Sequence, residues 1–192
     1  RRPSNISGCT TYNRMKWVRN RSGRYDLVVA PLHGRGNDKN GEGAGVRVLA
    51  YHMPEDPRKE WNTTLVQGTM HKTHNLDIIP AMGTEAESLL LCGREGVVRL
   101  DPTDNGWKEQ WIARHPTDNP DLQGAGEVRY GAFAGGQPYV VTIEPMHGDK
   151  LVLYTPPVDG PKNGTWQRRV LTSELVDGHA IATHDLLGIN NR

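Results

Sequence analysis

Imidazoles recur in this chain at two repeating places, and imidazole is the side chain best suited to hold a divalent metal or to move a proton near neutral pH. One series opens short apolar runs: His74 stands before Asn75-Leu76-Asp77-Ile78-Ile79, and His179 before Ala180-Ile181-Ala182. Midway between them, with roughly 50 residues to each side, Glu127 opens the matching run Val128-Arg129-Tyr130. The second series follows the next apolar run: His33 comes after Leu27-Val28-Val29-Ala30, and His147 after Tyr139-Val140-Val141-Thr142-Ile143. Neutral imidazole and carboxylate are donors that zinc accepts in a tetrahedron, and a catalytic site leaves one position for water or substrate. No local spacing here has the specificity of a zinc finger, and the i, i+3 pair His71 and His74 fixes little outside a helix. The competing reading is that each His caps its blade by hydrogen-bonding its own sheet.

Side chains so far apart in sequence meet only if the elements between them repeat around an axis. The clearest unit starts at His74. Asn75 to Ile79 reads as a strand, Leu89 to Cys92 as a strand buried on both faces, Gly93-Arg94-Glu95-Gly96 as a tight turn, and Val97 to Leu100 as a third strand. A Trp-rich fourth strand runs from Trp107 to Ala113. The order returns from Glu127: 128–133, 139–143, a turn at His147-Gly148-Asp149, 151–154, a Pro/Gly loop and 166–171. Upstream it is read in 26–30, 45–49 and 61–66. Each copy places a Trp near the start of its fourth strand, at Trp61, Trp107 and Trp166, where packing between blades is expected.

Four short strands per unit predict an all-β fold, a β-propeller fragment of about three and a half four-stranded blades. The blades are expected over 9–70, 71–123 and 124–174, with another beginning in 175–192. A two-sheet sandwich would not explain why one order of strand, glycine turn, strand and Trp returns. In a propeller the first strand of each blade lines the channel and the second runs antiparallel beside it. His74, Glu127 and His179 at strand starts, and His33, Arg94 or Glu95, and His147 at strand ends, then face one channel mouth.

Composition narrows the classes further. The chain has 192 residues and a formal charge of +1, with no basic arm to recruit nucleic acid and no run of the roughly 20 apolar residues that a membrane span needs. Cys9 and Cys92 make no disulfide framework, and Cys92 is expected to be a buried thiol. The sequons at Asn5, Asn20, Asn62 and Asn163 leave the secretory pathway open. The chain begins Arg1-Arg2-Pro3 and is read as a fragment. The glycine segments 34–37 and 41–45 lead into a strand rather than a helix, so no nucleotide cofactor is expected, and a substrate rim is the better reading. His52 and His115, beside Pro-rich loops, are expected in solvent, and His184 either in the core or behind a metal ligand.

The segments Pro31-Leu32-His33-Gly34-Arg35-Gly36-Asn37, Gly41-Glu42-Gly43-Ala44-Gly45-Val46, Met70-His71-Lys72-Thr73-His74-Asn75 and Gly178-His179-Ala180-Ile181-Ala182 resemble the propeller domain of fungal aldos-2-ulose dehydratase/isomerase. The resemblance runs along most of the chain. It implies a seven-bladed propeller in a large homodimeric enzyme whose two cupin folds and lectin-like domain are absent from this sequence, so the isomerase half is not carried over. It also implies zinc in the propeller, a small sugar substrate such as 1,5-anhydro-D-fructose or glucosone, and a carbon–oxygen lyase reaction. In that reaction a polarised ketone acidifies the neighbouring C–H, a base takes the proton and the β-hydroxyl leaves as water. Repeat position, rather than the resemblance, then assigns His74 and His179 as metal ligands and Glu127 as a third ligand or the base. His33 and His147 are further candidates for ligand, acid or base, and Arg94 orients sugar hydroxyls.

Wider relatives of FG-GAP or VCBS type often hold calcium in an acidic loop. The loops Pro80 to Thr84 and Ala134 to Gln137 lack that ladder of carboxylates. The alternative function is a non-catalytic propeller that binds glycan or protein.

Overall fold

The structure, a computed structural model, describes residues 12–38, 40–116, 118–119, 123–157, 166–185 and 188. Cys9 and the sequons at Asn5 and Asn163 lie outside them. The described residues contain strands and no helix. The first sheet comprises β1 (Tyr12–Arg19), β2 (Tyr25–Pro31), β3 (Val48–His52) and β4 (Asn62–Gln67). The second comprises β5 (Thr73–Ile79), β6 (Ser88–Gly93), β7 (Gly96–Thr103) and β8 (Gly106–Arg114). The third comprises β9 (Glu127–Ala132), β10 (Pro138–Glu144), β11 (Lys150–Thr155) and β12 (Gln167–Thr172). Each is an antiparallel meander in which chain neighbours are sheet neighbours.

Glycine makes the tight connections possible. Gly93 pairs with Gly96 across the two-residue loop Arg94-Glu95, and Gly96 has φ +118, a backbone state that side chains resist.

The sheets stack face to face, with β5 lying between β1 and β9. Strand β6 is buried along its whole length because it serves two cores. Leu89 and Leu91 pack with Val28, Ala30, Val48 and Ala50 of the first sheet. Leu90 and Cys92, on the opposite face, pack with Val128, Val140 and Val152 of the third. The period-2 alternation of a strand assigns them so, and an uninterrupted apolar run is the sequence that such double burial requires. Trp107 packs on the first of these cores and Trp166 on the second, which is inter-blade packing as expected. Trp61 instead meets Trp17 within the first sheet, at 6.1 Å between ring centroids.

Strand β1 has no counterpart among the strands read from the sequence, the first of which is 26–30 although the blade is expected from residue 9. Of its residues only Val18 is buried, so apolar periodicity gives it no signal. After β12, residues 173–185 form no strand. They are tied to the third sheet by Leu175 N–H to the Asp149 carbonyl (3.0 Å), Gly178 N–H to the Gly148 carbonyl (3.1 Å) and Thr183 Oγ to the Tyr130 carbonyl (2.8 Å).

Candidate functional site

The site begins with an irregularity at the start of the first strand in each of the first two sheets, one that β9 lacks. In β5, Thr73 pairs with Gly93 and Asn75 with Cys92, which leaves His74 as the extra residue of a β-bulge. Asn13 occupies the same place in β1, between the pairs Tyr12–Pro31 and Arg14–Ala30. The extra residue turns its side chain toward the next blade. Asn13 Nδ2 donates to the His74 carbonyl at 2.6 Å, and His74 Nδ1 donates to the Gly126 carbonyl. Gly126 therefore stands where His74 stands one blade earlier. Glu127, aligned with His74 in the sequence reading, is instead the counterpart of Asn75, because the bulge displaces the register by one residue.

Three imidazoles gather at this mouth. His147 Nε2 lies 2.6 Å from His74 Nε2, with the rings edge to face at 4.6 Å, and His179 stacks on His147 at 4.2 Å. His147 reaches the cluster from the β10–β11 turn through a left-handed backbone, φ +57. His179 arrives from the segment after β12, its Nδ1 donating to the Asp177 carbonyl. Burial, above all, holds the pKa of His74 below the usual imidazole value, with the nearby His147 lowering it and the Gly126 carbonyl and Glu127 opposing. For His147, burial is again the largest cause, followed by His179 and Lys72, against Asp177 and Glu127. Both shifts favour the neutral ring.

With its Nδ1 proton held by a carbonyl, His74 turns an Nε2 lone pair to His147, from which it accepts, and His179 likewise carries its lone pair on Nε2. This is the second-shell arrangement that metal-binding histidines use. The donor chemistry thus fits a zinc-type ion, although among the described residues no three His, Cys, Asp or Glu side chains already form a cage. His74, His147 and His179 are the residues that would hold such an ion.

Beside the cluster opens a cleft of about 500 Å³ lined by Asn40, Glu42, Lys72, Arg94, Gln123, Pro145 and Met146. Met146 precedes His147, and Lys72 is two residues from His74. The glycine-bearing loop between β2 and β3 supplies one wall, as a substrate rim would. Asp38 Oδ1 accepts from the N–H groups of Asn40 and Glu42, both at 2.9 Å, and Glu42 pairs with Arg94 at 2.5 Å.

Residues 5–177 match the family described as aldos-2-ulose dehydratase, β-propeller domain. The chain belongs to that family. It is also 30% identical over 166 residues to the aldos-2-ulose dehydratase of Phanerodontia chrysosporium, an alignment covering 79% of this chain and 18% of that protein. The chain therefore spans less than a fifth of the length of this curated relative. The sheets described above are blades of a β-propeller of that family.

Within this propeller the remaining sequence candidates are placed apart from the cluster. Glu127 is 1% exposed, its oxygens taken by Asn75 Nδ2 (2.7 Å) and Arg129 Nη2 (3.2 Å). His33 forms an isolated bridge with Lys72, and burial first, then the Lys72 ammonium, lower its pKa against the pull of Asp38. His184 is exposed. His115 is not in solvent as expected. Its side chain is 7% exposed, with Nε2 3.1 Å from the Tyr154 hydroxyl and 3.6 Å from Glu144. Glu144 also accepts from Thr142 Oγ, Tyr154 Oη and twice from Arg168. That network, one residue before Pro145, gave no local sequence signal because its members are 142, 144, 154 and 168. His52 is half-buried rather than free, held between Asp26 (3.0 Å) and Thr64 (3.2 Å). Cys92 is fully buried, and burial pushes its thiol far up, which leaves it a core residue.

Proposed function

We propose that this chain is the metal-bearing propeller portion of a zinc-dependent carbohydrate lyase, acting on an aldos-2-ulose or 1,5-anhydro-D-fructose by eliminating water next to a ketone. The observation that carries the proposal is the meeting of His74, His147 and His179, from three successive repeats, beside a polar cleft. His147 takes the ligand place that repeat position alone had given to Glu127. When bound, zinc supplies a Lewis acid for the sugar ketone. The chain's own residues do the rest. The Gly126 and Asp177 carbonyls hold the imidazole tautomers, and the Arg94–Glu42 pair with Asn40 and Gln123 offers a sugar both donors and acceptors. His33, whose pKa is lowered by burial and by the Lys72 ammonium, is the group assigned to proton transfer.

The test is zinc content and dehydration of 1,5-anhydro-D-fructose by the full-length protein, with His74→Ala and His179→Ala changed together. The double variant is expected to lose both metal and activity, and full dehydration by it would sink the proposal. A second reading has one observation in its favour: Asn13 caps the next blade just as His74 does, with no metal chemistry involved. On that reading the protein is metal-free and binds saccharide without turning it over.

A further inference from the structure

Resting on the zinc reading, we infer that Glu127 is a positioning residue that makes the three-imidazole cluster receptive to a dication. Three neutral imidazoles bring no negative charge to a divalent ion. The nearest compensating charge must come from behind them. Glu127 is built into that place. It is almost fully buried at the start of β9, next in sequence to Gly126, whose carbonyl holds His74. Its Oε1 accepts from Asn75 Nδ2 at 2.7 Å, and Asn75, itself 4% exposed, follows His74 in β5. Asn75 Oδ1 accepts from the Leu76 N–H at 2.8 Å, so the amide cannot swing away without breaking two bonds.

One carboxylate thereby fixes both strand starts that bear on His74. A buried carboxylate costs several kcal/mol of desolvation. Its counter-ion Arg129 is the partly exposed member, with a side chain 25% exposed against 2% for Glu127. Joining two strands needs no such charge: an amide would make the bond to Asn75 as well. A buried carboxylate behind the cluster, with its counter-ion on the outer side, gives the charge a use.

The test measures binding of Zn²⁺ and of Co²⁺, the latter through its visible absorption, to wild type, Glu127→Gln and Arg129→Gln, with melting of each metal-free form. Glu127→Gln retains shape and an acceptor for Asn75 but loses the charge. It is expected to weaken Zn²⁺ binding by about 10–100-fold, the range for outer-shell partners, while metal-free melting stays near wild type. Arg129→Gln unmasks the carboxylate and is expected to tighten binding. Opposite signs from the two halves of one ion pair are what a merely structural bridge would not give. If Glu127→Gln binds both metals as wild type does, the inference is overturned. If Glu127→Gln does not fold, Arg129→Gln decides: tighter binding supports the inference, and equal or weaker binding overturns it. Failure of wild type to take up either metal defeats the zinc reading itself, and the inference with it.

Discussion

His147 and His33 follow equivalent apolar runs, yet they differ in what their backbone allows. The left-handed turn at His147 sends its ring over the start of β5, whereas His33 is held in a bridge with Lys72. His147→Ala is therefore expected to abolish stoichiometric zinc, measured by metal analysis. His33→Ala is expected to keep the metal and to lower kcat by about 10²–10⁴-fold, the range for a general acid or base. Behind His147 stands Glu144, whose removal would strand Arg168 and Tyr154. Glu144→Ala is expected to cost about 3–5 kcal/mol, read as a loss of melting temperature, as when one partner of a buried ion pair is deleted. At this scale the sequence reading found the convergent histidines because their types repeat. It misaligned Glu127 by one residue because a bulge changes register without changing composition. It missed the burial of His115 because Tyr154 and Glu144 become neighbours only through the sheet.

The strands show where pattern suffices and where it fails. β6 was readable because double burial demands an unbroken apolar run, and Trp107 and Trp166 marked their fourth strands because large rings fill the space between stacked sheets. β1 was not readable. It closes the first sheet through main-chain pairing with β2, and six of its eight side chains carry polar groups. The turn after β6 depends on glycine in a way that packing makes quantitative. A Cβ on Gly93 would stand 2.1 Å from the Lys72 carbonyl, which itself accepts from the Arg94 N–H. Gly93→Ala is expected to destabilise the fold by about 1–3 kcal/mol, the range for overpacking, and to displace Lys72 and Arg94 from the cleft. Weaker sugar binding with zinc content unchanged would be its signature.

Across the molecule, polar bonds join the blades at a nearly constant interval: Asp77 Oδ2 accepts from the Tyr130 N–H, and the Tyr130 carbonyl accepts from Thr183. A metal held by His74, His147 and His179 would add a further tie among the same three repeats. Zinc at about 100 times its Kd is expected to stabilise the fold by about 2.7 kcal/mol, a rise of about 5–10 °C for a chain of this size. Chelator should reverse it in calorimetry, and His179→Ala should remove it. The bulge in β5 also bears on how such a site could arise. His74 is one residue added to an otherwise regular pairing, which resumes at Asn75–Cys92 and continues through Leu76 into the core. A single-codon insertion can thus install a ligand at no cost to packing, and the matching deletion can erase it, so chemistry at this mouth can be gained or lost along a lineage while the propeller stays the same.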